Sequence, residues 1–338
     1  MFEKIRSLIF KFDPETAHNL AINALKTNLV PVRLKNYECL KVKFLEKEIP
    51  NPIGIAAGFD KNAEVYNSLF KLGFGFVEVG TVTPEPQFGN PKPRVFRLEE
   101  DEALINRLGF NNIGSEKASN NIKNDSPKGL LGINIGPNKD TKNRIDDYLK
   151  CFRKLNDLGD YITINISSPN TENLRSFHNP KELEELLNVI NEEKTKINSS
   201  TSIAVKIAPD VKTKDLDVIG NILLKNNVKF AIISNTSDGT RDNLKNINKF
   251  EKGGLSGKPI EEKSNLLINK FYNIFKNKIK IIGVGGVDSG KSAYEKFISG
   301  ASYIQLYTGM VYQGPNIVNN ISEELNDILS SDGVKNIE

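Results

Sequence analysis

The chain has 338 residues, with 46 Lys and Arg against 42 Asp and Glu, and a net charge of +4. That length allows one large domain or two ordinary ones at ~100–200 residues each, and 38% apolar residues with 18 Phe and 9 Tyr exclude global disorder. No run reaches the ~20 apolar residues of a spanning helix. No dense basic patch suggests a nucleic-acid partner. The start MFEKIRSLIFKFDPE lacks the long apolar core and cleavage site of a secretory signal, so none is expected.

Residues 2–28 read as two short helices. Ile5, Leu8 and Ile9 form one stripe. Asp13 has the place of an N-cap with Pro14 behind it, and Ala17, Leu20, Ala21, Ala24 and Leu25 then repeat at helical spacing. Residues 39–49 alternate through Leu40, Val42 and Phe44, which suggests one small strand before the turn at Asn51-Pro52. From residue 53 the rhythm changes. Short apolar runs rich in β-branched residues recur at 53–57, 75–79, 130–135, 161–166, 202–207, 229–233, 279–284 and 302–306. Helical patterns separate them, most clearly at 145–155, where Ile145, Tyr148, Leu149, Phe152 and Leu155 share a face. Apolar strands alternating with helices mean a parallel sheet covered on both sides. Eight such units in ~250 residues predict a (β/α)8 TIM barrel carrying a small N-terminal helical extension. A doubly wound open sheet is the alternative, disfavoured by the lack of an early GxGxxG. Residues 81–128 are long for a βα connection of ~2–6 residues, and barrel enzymes build sites from such insertions.

The reactive residues are few. Two Cys, Cys39 and Cys151, cannot assemble an iron–sulfur cluster or a Cys-based zinc site, which take about four ligands. Two His, His18 and His178, belong to no HExxH pattern or nucleophile elbow. No metal centre is expected, and an organic cofactor is left to carry any difficult chemistry.

Polar residues gather at the strand ends, which a barrel collects around one mouth. They are Ala57 to Asn62, Gly80-Thr81, Asn134, Asn165 with Ser167 to Thr171, Lys206, Ser234 to Thr236, Gly283 to Gly286, and Tyr307 to Gly309. Gly285-Gly286 and Tyr307-Thr308-Gly309 follow strands 7 and 8, the usual barrel phosphate site, although tight turns explain glycines equally. Lys206 lies inside an apolar strand. A buried ammonium there suits an electron-rich cofactor, an aldolase-type Schiff base or a structural ion pair. Asn106, Asn134, Asn165, Asn170 and Asn235 offer uncharged donors and acceptors for a flat, amide-rich ligand such as a pyrimidine, or else simple turn chemistry. Ser168 precedes a Pro on a loop at 168–180. A serine base needs a relayed proton and a dry site, and a turn is its bland alternative.

The segments AAGFDKN (56–62), EVGTVTPEPQFGNPKPRVFRL (78–98), INRLGFNN (105–112), INISSPNT (164–171), ISNT (233–236), GGLSG (253–257), GVGG (283–286) and QLYTGM (305–310) resemble dihydroorotate dehydrogenase. The likeness is to the quinone-linked, membrane-associated class 2 enzymes in particular and runs from about residue 2 to 320. It implies an FMN barrel that oxidises dihydroorotate to orotate in pyrimidine synthesis. By this resemblance Ser168 is the base at C5, with hydride leaving C6 for the flavin. Lys61, Asn106, Arg107, Leu108, Gly109, Phe110, Asn165, Asn170, Asn235 and Thr236 match substrate positions. Ala57, Gly58, Phe59, Asp60, Lys61, Thr81, Asn134, Asn165, Lys206, Ser234, Gly257, Gly286, Tyr307 and Thr308 match FMN contacts. Ser234, Thr308 and Phe59 stand where many relatives have Thr, Ser and Leu.

Class 1 relatives use Cys as base, where this chain has the Ser of SSPN. NAD-linked relatives need an iron–sulfur partner subunit, which is not expected here. Class 2 adds an N-terminal helical pair that forms a quinone tunnel. The resemblance therefore implies residues 1–38 as that unit and 39–338 as the barrel. It also implies His18, Arg97 and Tyr307 at the quinone site, and peripheral attachment to the cytoplasmic side of the cell membrane. His18 as a plain helix-surface histidine is the simpler alternative. A Schiff-base aldolase using Lys206 and a non-catalytic binding barrel are the competing functions; bound flavin colour and orotate-dependent turnover separate them.

Overall fold

The computed structural model describes residues 2–28 and 32–338, with backbone only for 2–4; of the expected unit 1–38, residues 1 and 29–31 lie outside the described residues. Eight parallel strands close into a barrel. They are β1 (Ile53–Ile55), β2 (Phe76–Val82), β3 (Leu130–Ile135), β4 (Tyr161–Asn165), β5 (Ser202–Ile207), β6 (Phe230–Ile233), β7 (Lys280–Val284) and β8 (Tyr303–Leu306). Each pairs with its neighbour in chain order, and β8 returns to β1 through Ile304 opposite Ile53. The open doubly wound sheet is thereby excluded. Nearly every strand residue is buried, as a sheet covered by helices requires.

Two helices precede the barrel, α1 (Phe2–Ile9) and α2 (Pro14–Lys26). Asp13 caps α2 as expected, its Oδ1 accepting from the N–H groups of Glu15 and Thr16 at 3.0 Å each. The buried face of α2 differs from the expected stripe. Ala17 and Ile22 are covered and Leu25 is half-buried, while Leu20, Ala21 and Ala24 face out. Ile5, Leu8, Phe12 and Leu20 are each 45–58% exposed. Helical spacing identifies an apolar stripe without saying what covers it.

Residues 39–49 form a hairpin in place of the single strand expected. Val42–Phe44 pairs antiparallel with Lys47–Ile49, and Leu45 turns the chain at φ +54°. No Asn-Gly or Gly-rich turn announces it. The hairpin plugs the amino end of the barrel. Phe44 is fully buried against Tyr303, Phe230, Phe76 and Tyr161, with ring centroids 4.1, 4.8, 5.0 and 5.7 Å away.

Helices α3 (Tyr66–Lys71), α4 (Ser115–Asn124), α5 (Arg144–Leu155), α6 (Pro180–Lys196), α7 (Leu216–Lys225), α8 (Glu261–Phe275), α9 (Gly290–Ile298), α10 (Thr308–Gln313) and α11 (Ile317–Ser331) follow the strands. In α5, Tyr148, Phe152 and Leu155 are buried as their spacing predicts, whereas Ile145 and Leu149 are only partly covered. The long excursion after β2 holds two short strands, Val95–Leu98 and Ala103–Asn106. A third, Gly254–Gly257, joins them antiparallel from the far end of the sequence. This small sheet stands on its own apolar cluster of Leu98, Ile105, Leu255 and Ile260 beside the barrel mouth.

Candidate active site

The carboxyl ends of the strands and the small sheet enclose one cavity. Its empty space, open mouth included, is about 1320 Å³. Seven of the eight strand ends contribute, all but that of β3. Ala57, Gly58 and Lys61 follow β1, Thr81 ends β2, and Asn165, Ser168 and Asn170 follow β4. Lys206 comes from β5, and Ser234, Asn235 and Thr236 follow β6. Gly286 follows β7, and Tyr307 and Thr308 follow β8. Asn106, Leu108, Gly109, Phe110 and Gly257 come from the small sheet and its flanks. The structure thus brings these sequence-identified residues to one place.

Six others lie off the cavity wall. Phe59 is buried and packs between His18 and Tyr307, with ring centroids at 5.3 and 5.9 Å. The Asp60 carboxylate accepts from the N–H groups of Glu64 and Val65 at 2.8 Å each, which shapes the turn into α3. Asn134 is fully buried one layer behind Thr81. The Arg107 guanidinium turns outward to Glu251 at 2.7 Å and lies over the Phe96 ring. His18 stacks on Tyr307 at 6.5 Å, and its Nε2 is 3.4 Å from Lys61 Nζ, so α2 touches two cavity residues. Arg97 instead grips the α1–α2 turn. It lies over Phe10 at 4.6 Å and donates to the carbonyls of Phe10 and Phe12.

The electrostatics follow from burial. Desolvation pushes the Lys61 ammonium down to about 8, against the pull of Glu15 and Asp60. Burial, then the Lys61 charge, hold His18 well below its ordinary value, so it is neutral beside that cation. Lys206 is 5% exposed and is lowered by burial, against the pull of the Glu78 charge. Its Nζ has no hydrogen-bond or ion-pair partner among the described residues. Burial pushes the Tyr307 phenol up to about 12, keeping it a neutral donor. Ser168 is 6% exposed, and its Oγ accepts from the Asn170 N–H at 3.2 Å.

Asn111 and Ser256 are among the wall residues that sequence reasoning missed. Asn111 lines the cavity with a buried Oδ1 that has no partner. It belongs to a quoted segment, but nothing in the pattern separates it from the turn residues around it. Ser256 bridges to Thr308 at 2.8 Å and depends on the long-range strand pairing. Among the described residues no cluster of His, Cys, Asp and Glu could hold a metal ion, and no helix is long and apolar enough to cross a membrane.

A family model described as dihydroorotate dehydrogenase matches residues 39–329. A dihydroorotate dehydrogenase (quinone) of Nitrosomonas europaea is 44% identical, the match covering 94% of this chain and 95% of the relative. One of Bartonella tribocorum is 47% identical over 98% of this chain and 93% of its own. A crystal structure of the Eimeria tenella DHODH in complex with ferulenol superposes with a TM-score of 0.93 at 35% identity, covering 96% of this chain and 94% of that one. A closed barrel, a rim cavity and likeness over nearly the full chain agree: the chain belongs to the dihydroorotate dehydrogenase family of oxidoreductases.

Proposed function

We propose that this protein oxidises dihydroorotate to orotate in pyrimidine synthesis, with FMN as its bound redox group and a respiratory quinone as final acceptor. The observation that carries this is the convergence of Ser168, Lys61, Lys206 and four carboxamides on one cavity that His18 of α2 also touches through Lys61 and Tyr307.

The residues fit FMN. Lys206 is a buried cation with a vacant donor set beside the cavity, suited to an electron-rich ring. Gly257 holds φ +97°, and a Cβ there would meet the Glu102 carbonyl at 2.4 Å, so the backbone itself forms that wall. Gly286 and Thr308 would hold the phosphate end. Ala57, Gly58, Thr81, Asn165, Ser234 and Tyr307 complete the contacts, while Phe59, Asp60 and Asn134 support them from behind. Held there, FMN would supply a hydride acceptor for C6 and a two-electron donor toward the quinone.

The chain's own groups do the rest. Ser168 Oγ takes the proton from C5 as its own hydroxyl proton is relayed out of the site. The Asn170 N–H fixes that oxygen on the cavity side of its loop. The Lys61 ammonium meets the substrate carboxylate. Asn106, Asn165, Asn170, Asn235 and Thr236 bond the pyrimidine edge, and Leu108, Gly109 and Phe110 exclude water above it. Arg107 braces that segment through Glu251.

Residues 1–38 serve as the quinone unit and 39–338 as the barrel. The exposed apolar side chains of α1 and α2 suit a peripheral seat on the cytoplasmic face of the cell membrane. Quinone would approach between His18, Arg97 and Tyr307. Electrons leaving this way need no iron–sulfur subunit.

The test is anaerobic. Dihydroorotate should bleach the flavin of the loaded protein, and quinone rather than fumarate should restore the colour. Ser168→Ala should slow bleaching at least ~100-fold with flavin retained. A parent protein that is not bleached refutes the reaction; a variant that bleaches at the parental rate removes Ser168 from the base role.

A further inference from the structure

Glu78 points into the barrel from β2 and is fully buried. No cation lies within ion-pair distance of it among the described residues. Four donors converge on its carboxylate. Asn134 Nδ2 reaches Oε1 at 2.8 Å. Tyr161 OH, Gln305 Nε2 and Thr163 Oγ1 reach Oε2 at 3.0, 3.0 and 3.2 Å. All four contacts are donated to the carboxylate, which serves in this arrangement as their common acceptor. Gln305 illustrates its pull: the amide turns its nitrogen to Glu78 and leaves its own buried Oε1 without a partner.

A carboxylate that receives four donors fixes the direction of the groups bonded behind it. Asn134 must give its nitrogen to Glu78, so its oxygen faces Thr81. The Thr81 hydroxyl then donates to Asn134 Oδ1 at 2.6 Å and accepts from Asn165 Nδ2 at 2.9 Å. Asn165 Oδ1 accepts from the Ser167 hydroxyl at 2.9 Å, and Ser167 accepts from Asn235 Nδ2 at 2.8 Å. Every hydrogen in this chain points toward Glu78. Two of the cavity amides, Asn165 and Asn235, have their oxygens tied back into the protein, since Asn235 Oδ1 accepts from the Thr236 N–H at 2.7 Å. Each Nδ2 keeps a second hydrogen that the chain does not use.

We propose that Glu78 is a positioning residue. Its buried carboxylate sets the direction of the chain Asn134–Thr81–Asn165–Ser167–Asn235, so that the cavity amides present N–H groups to the carbonyls of a pyrimidine ligand. The Glu78 charge also acts on the buried Lys206 ammonium, favouring its charged form. This inference rests on the cavity being the dihydroorotate site.

Two near-isosteric variants test it in the FMN-loaded protein. Glu78→Gln removes the charge and lets the residue offer either amide atom to Asn134. Asn134→Leu cuts the chain at its first bond and leaves Glu78 three donors. Orotate affinity, read from the shift of the flavin spectrum, should fall about tenfold in both. The flavin midpoint potential should rise in Glu78→Gln, because Lys206 loses its balancing anion, and stay parental in Asn134→Leu. A purely structural role would move the melting temperature and leave that split absent. Orotate affinity within twofold of the parent in either variant, or an unmoved potential in Glu78→Gln, overturns the proposal. If Glu78→Gln does not fold, Asn134→Leu decides it. A parent that does not bind orotate sinks the assigned reaction and this role together; a parent that binds it, with an indifferent Asn134→Leu, sinks only the role of Glu78.

Discussion

Glu15→Gln should loosen the helical pair from the barrel without disturbing the barrel itself. Glu15 stands in the first turn of α2 and receives two parallel bonds from Arg94, Nε to Oε2 at 3.0 Å and Nη2 to Oε1 at 2.5 Å. The two side chains are only 12% and 7% exposed. Arg94 Nη1 also bonds the carbonyls of Asn90 and Phe88, so one guanidinium ties α2 to the excursion after β2. An exposed ion pair is worth ~0–1 kcal/mol and breaking a buried one costs ~3–5. This pair is bidentate and mostly covered, but Gln keeps the shape and one acceptor, so about 2 kcal/mol is lost. That is roughly a 30-fold shift toward the undocked helix, at 1.36 kcal/mol per decade.

Hydrogen exchange followed by mass spectrometry reads this directly. Amides of residues 14–26 should exchange about 30-fold faster in Glu15→Gln at neutral pH, while those of β3 keep their protection. Acid should act on the same joint. Burial raises the Glu15 carboxyl, but the hydrogen bond and charge of Arg94 outweigh it and leave the value lowered. A carboxyl depressed in the folded state contributes fully at neutral pH and loses its contribution as pH falls through the lowered value. The parental helix should therefore approach the exchange of the variant only below the ordinary carboxylate range. Parental exchange of α2 in Glu15→Gln at pH 7 would refute the joint.

Two further outcomes are expected. Orotate affinity should weaken as pH rises through about 8, because burial brings the Lys61 ammonium down to that value and an anionic ligand needs its charged form; Lys61→Arg should flatten the profile, and a flat parental profile would remove Lys61 from the carboxylate. Phe44→Ala should destabilise the fold by ~3–5 kcal/mol, since it empties the fully buried centre of the barrel plug. At about 2 °C per kcal/mol in a large domain, the melting temperature should fall by roughly 6–10 °C, with orotate affinity kept; an unchanged melting curve would deny the plug its role.

The barrel was legible because its strands are buried on both faces and leave continuous apolar runs. All eight runs became strands, although 53–57 stops at Ile55 and 75–79 continues to Val82. The rim was legible because glycines, amides and hydroxyls interrupt those runs at one end. Lys206 stood out as a charge within an apolar strand, and Glu78 in FVEV carries the same signal. Its meaning lies in partners on β3, β4 and β8, which no local pattern reveals. The hairpin at 42–49 escaped because Leu45-Glu46 is an unmarked turn. Gly254–Gly257 escaped because its pairing with Ala103–Asn106 spans the sequence. The outward turn of Arg107 and the inward-facing Ile22 depend on neighbours in the same way.

The layout separates what the molecule must hold still from what it must let change. Stability concentrates at the amino end, where the Phe44 hairpin fills the barrel with aromatic rings. Directed polarity occupies the middle, where Glu78 turns every neighbouring donor inward. The carboxyl rim holds the cavity with its two weakly compensated ammonium groups, Lys61 and Lys206. Charge at such groups is expensive unless an anion arrives, so a ligand carboxylate or an electron-rich ring there is favoured by the protein's own unmet need. Perturbing each level should therefore leave a different signature. Phe44→Ala lowers melting and spares affinity. Asn134→Leu lowers affinity and spares the potential. Glu15→Gln frees one helix and spares the barrel. A single substitution producing all three effects would mean that the levels are mechanically coupled, against the independence that their separate contacts require.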